Sequence, residues 1–187
     1  MNFIEKLLVN SGIYNFWYKH TYLRRFLDFC DIKGKTLEIG CGSGFTSAEL
    51  KTRFGVELTA IDYDEEEIAL AKKRYGKMKI AFERGDGTAM RFGNGEFDCV
   101  IELNAFHHIR EYKKAVAETR RVLKKGGRFY AMDISMYFMW PLTLLIPFEH
   151  FDGKFTRDSL ISVLEENGFR VVEKKGWDWF MLHAEKR

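Results

Sequence analysis

The stretch Thr36–Gly44, which reads TLEIGCGSG, decides the fold of this chain. A short apolar run is interrupted by Glu38 and is followed by glycines at three alternate positions, Gly40, Gly42 and Gly44. Glycine has no Cβ, so the backbone can turn tightly and a ligand can lie almost against the main chain. A strand that enters such a turn and continues into a helix is the usual way in which α/β folds bind a nucleotide-like cofactor.

The spacing and charge of this turn indicate which cofactor it takes. A dinucleotide fingerprint requires GxGxxG, but here the pattern is GxGxG and Phe45 stands where the third glycine would be. The carboxylate of Glu38 repels phosphate and attracts cations. S-adenosylmethionine carries an ammonium and a sulfonium and no phosphate, so the charge pattern favours it over NAD. The alternative is a tight turn with a capped helix and no ligand.

The composition is that of an ordinary globular domain. The chain has 187 residues with 46% apolar and 30% charged residues, which suits a single domain, and its net charge of +3 is too small to predict nucleic-acid binding. Its three cysteines, Cys30, Cys41 and Cys99, form no CxxC pair. Together with an amino terminus unlike a signal peptide, they predict a reducing, cytoplasmic location.

Strands and helices alternate after Gly34, which predicts a parallel sheet with helices on both faces. The predicted strands are Thr36–Gly40, Val56–Asp62, Lys79–Gly85, Phe97–Leu103, Arg128–Ile134, Phe169–Lys174 and Trp177–Glu185. The last two are joined by a turn too short for a parallel crossover. We therefore expect an α/β, Rossmann-like, doubly wound sheet of seven strands, mostly parallel, with one antiparallel strand near the carboxyl terminus.

The same pattern divides the single domain, residues 1–187, into four parts. Residues 1–33 form a predicted amino-terminal helical cap, and 34–135 the cofactor-binding core. Residues 136–155 are an acceptor-side insert or lid, and 156–187 a final helix and strand pair. Within the core, a helix predicted over Tyr112–Lys124 should stop at Gly126–Gly127.

Polar residues follow three of the predicted strands, at the sheet edge where open α/β folds bind ligands. Asp62 ends the second strand and can accept hydrogen bonds from ribose hydroxyls, since Asp64 is the better helix cap. Tyr63 can lie against adenine. Asp86, in the sequence GDGT, can accept a bond from the adenine amino group, or it can simply form an Asx turn. Asn104 should line the methionine end of the cofactor.

Four segments in succession resemble the motifs of class I S-adenosylmethionine-dependent methyltransferases, notably the small-molecule group that includes quinone-biosynthesis C-methyltransferases. They read LEIGCGSG, AIDYDEEEI, GDGTAMRFGNGEFDCVIELNAFHHI and LKKGGRFYAMDIS, and they span roughly Thr36 to Ile134. The resemblance implies a cofactor site made of residues from each segment: Glu38, Gly40 and Gly42 for the methionine portion with Cys41 in the turn, Asp62 for the ribose, Tyr63 for the base, Asp86 and Gly87 for the adenine edge, and Asn104 beside the sulfonium.

Methyl transfer is an in-line displacement, and an amine or phenol acceptor can require a general base. The best-placed candidates are His107 and His108, although side chains at this point can also serve only for packing or cofactor contact. Glu149 and His150 could face the acceptor or lie in a solvated loop. No metal site is predicted, because adjacent histidines lack the i, i+4 spacing of helical ligands.

Two aromatic segments, residues 3–29 and 136–155, match no family motif and are expected to select a small-molecule acceptor. They could pack as a lid, form a channel for an apolar or lipid-like acceptor, or rest peripherally on the inner membrane face. Two rival functions remain open: an NAD(P)-dependent oxidoreductase, and a module that binds S-adenosylmethionine without catalysis.

Overall fold

The computed structural model describes residues 11–135, 153–177 and 179–187. The sheet contains seven strands, in the spatial order β3-β2-β1-β4-β5-β7-β6. They are β1 (Lys35–Ile39), β2 (Glu57–Asp62), β3 (Ile80–Arg84), β4 (Phe97–Leu103), β5 (Leu123–Ile134), β6 (Phe169–Lys175) and β7 (Trp179–Lys186). Neighbours among β1 to β5 are parallel, and β7 is antiparallel to both β5 and β6. The predicted fold class is confirmed.

Six α-helices connect or flank these strands in the described part of the chain. They are α1 (Gly12–Tyr18), α2 (Arg24–Phe29), α3 (Phe45–Phe54), α4 (Glu65–Tyr75), α5 (Tyr112–Val122) and α6 (Arg157–Glu166). Helix α4 begins where the Asp64 carboxylate accepts from the Glu66 N–H at 3.0 Å, as an N-cap side chain does. Short 3₁₀ turns lie at Gly76–Met78 and Phe106–His108. None of the helices described is long and apolar enough to cross a bilayer.

The predicted boundary between the helix before β5 and β5 itself is wrong. The strand begins at Leu123, and Gly126 and Gly127 lie inside it rather than ending the helix. The pairing with β4 shifts at this point: Phe97 pairs with Leu123, whereas Cys99, two residues on, pairs with Arg128. The extra residues form a bulge in which Gly126 takes the left-handed φ of +72°. Paired glycines can thus mark a bulge as well as a helix stop.

Two apolar cores lie on opposite faces of the sheet. Successive side chains of β4 point to opposite faces, so Val100 belongs to one core and Ile101 to the other. Helices α5 and α6 cover the first face, and α1 to α4 cover the second. This arrangement leaves the carboxyl ends of the strands as the edge at which loops from both layers meet.

A π-helical turn, Lys19–Leu23, joins α1 to α2. The Arg24 N–H donates to the Lys19 carbonyl five residues earlier, which is the π-helical pattern. In a regular α-helix two residues five apart would face different directions. The wider turn allows Tyr18 and Leu23 both to be buried against the second core. The aromatic amino-terminal segment is therefore fixed to the sheet through one face.

Candidate functional site

The glycine turn between β1 and α3 is the tightest part of the site. Gly40, Gly42 and Gly44 have φ values of +74°, +50° and +84°, a region that other residues rarely adopt. The N–H groups of Gly40 and Cys41 donate to one carbonyl, that of Ile61, at 2.8 and 3.0 Å. The turn is therefore tied to the end of β2. The Cys41 thiol is buried, and burial raises its pKa well above the usual value.

Asp62 connects this turn to the loop after β2. Its Oδ2 accepts from the Gly42 N–H at 2.8 Å, and its Oδ1 accepts from the Asp64 N–H at 2.9 Å. These two hydrogen bonds orient the Asp62 carboxylate at the end of β2. Asp62, the residue predicted to bind the ribose, is thus held beside the glycine turn.

Glu38 lies beneath the turn rather than at its surface. It is fully buried in β1, and its two oxygens accept from the hydroxyls of Thr46 and Ser47 in the first turn of α3. Burial raises its pKa to about 7, and nearby Asp62 adds to the rise against the opposing effect of the two hydroxyls. An acidic group therefore lies at the helix N-terminus that a pyrophosphate would need.

A cleft of about 320 Å³ opens on the adenine side of the predicted site. Tyr63 lines it and is 69% exposed, with the Arg84 guanidinium 5.7 Å from its ring centre. Asp86 also lines it, and its Oδ1 accepts from the Thr88 N–H and hydroxyl at 2.8 and 2.7 Å. That is an Asx turn, which fixes the direction of the carboxylate. Gly87 is buried beside the turn.

Asn104, directly after β4, adopts a left-handed φ of +54°. Its Nδ2 donates to the hydroxyl of Tyr18 at 2.9 Å. Its Oδ1 is buried and has no hydrogen-bond partner among the described residues. An unpartnered buried acceptor is costly and is typical of a site that receives a donor from a ligand. The sequence did not identify Tyr18, since nothing local distinguishes it from the tyrosines around it.

A histidine and two carboxyl groups meet where β4 and β5 end. His107 Nδ1 lies 2.5 Å from Asp133 Oδ1, and the His107 N–H donates to the other Asp133 oxygen at 3.2 Å. Glu102 is fully buried, and its Oε1 accepts from the N–H groups of Ala105 and Phe106. Burial, and next the charge of Asp133, raise the pKa of Glu102 well above its usual range.

The raised pKa favours the protonated form of Glu102, and Asp133 is the hydrogen-bond partner of His107. A carboxylate on Nδ1 selects the tautomer whose basic nitrogen is Nε2. The sequence suggested His107 as a base and Asp133 as a structural cap or a pocket wall, but it did not link His107 with Asp133 or Glu102. Their signal was present, because Glu102 is an acid inside the otherwise apolar stretch CVIEL and Asp133 ends the next strand.

His108 is half-buried, with its ring 4.0 Å from that of His107. The end of the predicted insert reaches this place, since the Gly153 N–H donates to the His107 carbonyl at 2.9 Å. Glu149 and His150, the other acceptor-side candidates, lie outside the described residues. Within the described ranges no group of three or more histidines, cysteines and acids is arranged to hold a metal ion.

Curated relatives of this chain are methyltransferases. An O-methyltransferase of Pyrenophora dematioidea is 28% identical over 150 residues, which cover 73% of this chain and 54% of that protein. A demethylmenaquinone methyltransferase of Leptospira interrogans is 26% identical over 184 residues, covering 81% of this chain and 74% of that protein. The chain thus spans about half the length of the first of these relatives.

The fold and the family of the chain also match known proteins. The structure of geranyl diphosphate methyltransferase in complex with GPP and sinefungin matches with a TM-score of 0.77, covering 90% of this chain and 78% of that one, at 13% identity. At that identity the match shows the fold alone. The model of a family described as a methyltransferase domain matches residues 37–131, more than half of the chain. The chain therefore belongs to the methyltransferase domain family and has the class I S-adenosylmethionine-dependent methyltransferase fold.

Proposed function

We propose that this protein is an S-adenosylmethionine-dependent methyltransferase that transfers a methyl group to a small, apolar acceptor. The observation that supports this most is the position of Glu38, buried under the first turn of α3. A phosphate-bearing cofactor would place negative charge near this acid, whereas the ammonium of S-adenosylmethionine would favour its ionised form. The same feature counts against an NAD(P)-dependent oxidoreductase.

The residues of the site fit the cofactor at each of its parts. In this proposal Gly40 and Gly42 give the methionine portion close access to the backbone, and the unpartnered Asn104 Oδ1 accepts from its ammonium. Asp62 accepts from the ribose hydroxyls. Tyr63 flanks the base in the adjoining cleft, and Asp86 accepts from the adenine amino group.

The reaction needs alignment and exclusion of water more than acid–base strength. S-adenosylmethionine supplies a methyl group on a positively charged sulfur with a neutral leaving group. Tyr18 and Asn104 would shield the methyl side from water and orient the acceptor. For a hydroxyl acceptor, His107 would remove the proton while Asp133 stabilises the imidazolium that forms. His108, packed on His107, would help to hold that ring in place.

The acceptor is proposed to be apolar because Tyr18, whose hydroxyl accepts from Asn104, belongs to a cluster of aromatic rings. Tyr18 lies between the Tyr14 ring, 5.9 Å away, and the Trp179 ring, 6.3 Å away. Tyr22 packs on Trp179 at 3.7 Å. Such surfaces favour hydrocarbon or ring systems over charged groups. Demethylmenaquinone, the acceptor named for one curated relative, guides the choice of compounds to test.

Calorimetry on the purified chain tests the cofactor assignment. Asp62→Ala should lose about 1–3 kcal/mol of S-adenosylmethionine affinity, because ribose hydroxyls lose their acceptor. Asp28→Ala, which removes an exposed acid of α2, is the matched control and should bind like the wild type. Equal affinity of both variants and the wild type would refute the ribose assignment.

Turnover with methyl-labelled S-adenosylmethionine tests catalysis. Label should move to a quinol, phenol or isoprenoid acceptor with release of S-adenosylhomocysteine. His107→Ala should lower kcat for hydroxyl acceptors by about 10²–10⁴-fold if the imidazole is the base. Cofactor binding without S-adenosylhomocysteine formation across the panel would support the non-catalytic module instead.

A further inference from the structure

The outer face of α1 exposes three large apolar side chains in one stripe. Ile13, Phe16 and Trp17 are 86%, 69% and 50% exposed. Their i, i+3, i+4 spacing places them side by side on the helix. Single exposed apolar residues are common on protein surfaces, but a contiguous aromatic stripe usually marks a contact with a partner or a membrane.

Positive charge continues this stripe along the same helical segment. His20 packs on the Phe16 ring at 4.5 Å, and Arg24 and Arg25 are both exposed. Neither arginine has an ion-pair partner among the described residues. The nearby acids are engaged elsewhere, since Glu49 pairs with Lys19 and Asp28 with Arg53. The face is therefore apolar at one end and cationic at the other.

We propose that this face of α1 and α2 docks on an anionic lipid bilayer. Phenylalanine and tryptophan side chains insert at the headgroup boundary, while arginines attract anionic headgroups. The charge of the face argues against a second copy of this chain as the partner, because two such cationic surfaces would repel each other. The contact is peripheral and requires no membrane-spanning helix. It would hold a cytoplasmic protein at the inner membrane face.

The opposite face of the same helix reaches the proposed site. Tyr14 and Tyr18 stack on that side, and the Tyr18 hydroxyl is bonded to Asn104. One helix thus connects the proposed lipid surface with the acceptor side of the cofactor site, and an acceptor dissolved in the bilayer would have a short route to it. Docking itself does not depend on the proposed methyl transfer and is tested without an acceptor.

Flotation of the full chain with vesicles tests the proposal. The wild type should float with phosphatidylcholine vesicles that contain phosphatidylglycerol, more weakly as salt rises, and poorly with phosphatidylcholine alone. Phe16→Ser and Trp17→Ser should each weaken binding about tenfold through lost apolar contact. Arg24→Ala should weaken it about fivefold. Val172→Ser, which alters an exposed apolar residue on the edge strand β6, is the matched control and should bind normally.

Thermal melting, gel filtration and S-adenosylmethionine binding of every variant accompany the flotation. Unchanged melting and cofactor affinity, together with weaker flotation, support the proposal. Failure of the wild type to float at low salt overturns it, and so does flotation that Phe16→Ser and Trp17→Ser leave unchanged. A lower melting temperature of these two variants would mean that the stripe is covered within the protein. A change in their oligomeric size would assign the stripe to a second copy.

Discussion

Four acids of the site take different roles because their surroundings differ. Asp62 accepts hydrogen bonds from the backbone N–H groups of Gly42 and Asp64. Asp133 faces a histidine. Glu38 and Glu102 are fully buried, and burial raises both of their pKa values. The same functional group can therefore serve as hydrogen-bond acceptor, orienting anion or proton donor, depending on what packs around it.

Glutamine should replace Glu102 with little loss of stability. The amide keeps an acceptor for the N–H groups of Ala105 and Phe106 and adds an N–H donor where the protonated acid has its hydroxyl. Glu102→Gln should stay within about 1 kcal/mol of the wild type, whereas Glu102→Leu should lose about 1–3 kcal/mol for each N–H left unpaired. Urea unfolding measures both. Equal destabilisation by the two substitutions would contradict the hydrogen-bonding role assigned to the Glu102 side chain.

Glu38 should make stability depend on pH. Its pKa is about 7 in the folded chain against an ordinary 4.5, so between these values the folded state keeps a proton that the unfolded state releases. The contribution of Glu38 to the free energy of unfolding is therefore largest at low pH. It falls by about 3 kcal/mol as the pH rises from 4.5 to about 7, and it is constant above that range. The Glu38→Gln variant has no titratable group at this position and is the control. Parallel pH profiles of unfolding free energy for the two proteins would contradict the shift.

At the scale of elements, turns and helix junctions determine whether the site forms. The turn after β1 packs closely against the segment that follows β4, so that a Cβ added to Gly40 would collide with the Ala105 Cβ. The π turn sets the rotation of α1 relative to α2, so it positions both Tyr18 and the exposed stripe. The role of each junction can be tested by a substitution or a deletion of a single residue.

Gly40→Ala should destabilise the protein more than Gly55→Ala. Both glycines have a positive φ, +74° and +66°, so both variants lose about 1–2 kcal/mol to backbone strain. Only at Gly40 does the new methyl group collide, whereas nothing lies within 4 Å at Gly55. The collision should cost about 1–3 kcal/mol more. Chemical denaturation compares the pair, and equal losses would show that the contact with Ala105 relaxes freely.

Deletion of Thr21 from the π turn should be tolerated. Removing one residue there converts the turn to a regular α-helix and places Tyr18 and Leu23 four apart, still on one face. Deletion of Arg25 from α2 is the control, because it rotates the preceding helix by about 100° and should expose buried side chains at a cost above about 2 kcal/mol. Circular dichroism and denaturation measure both, and equal loss would contradict the proposed role of the π turn.

At the scale of the whole molecule, the strand order brings the site together. β1 lies between β2 and β4, so the glycine turn adjoins both Asp62 at the end of β2 and Asn104 beyond β4. β5 lies beside β4, which brings Asp133 to His107 across 26 positions of sequence. The amino-terminal helices then cover this edge through Tyr18. The site is thus a property of the complete sheet and its cap.

The folded molecule should be stabilised by its cofactor. S-adenosylmethionine at about 100 times its Kd should add about 2.7 kcal/mol to the unfolding free energy, because only the folded sheet edge forms the site. In a chain of this length that corresponds to a Tm increase of roughly 5–10 °C. Thermal scans with NAD at the same concentration are the control and should show no shift. A larger shift with NAD would refute the proposed cofactor.

The sequence by itself determined the fold class, and it predicted which residues would line a cofactor site. Apolar periodicity, glycine turns and the short final connection are local signals, so the parallel sheet, the reversed strand and the residues after each strand could be predicted. The sequence also predicted S-adenosylmethionine in preference to NAD, because the acidic residue Glu38 lies two positions before the first glycine of the turn. The start of β5 was missed because a bulge depends on pairing with β4, which no local pattern records.

Only the tertiary structure decided the place of β7 between β5 and β6, the burial of Glu38, the acid pair behind His107 and the contact of Tyr18 with Asn104. Each of these depends on residues far apart in the chain that pack together after the sheet forms. Burial then sets the energy of a charge, and packing sets which face of a helix meets solvent. Sequence alone names such side chains, whereas their protonation and partners follow from the folded surroundings.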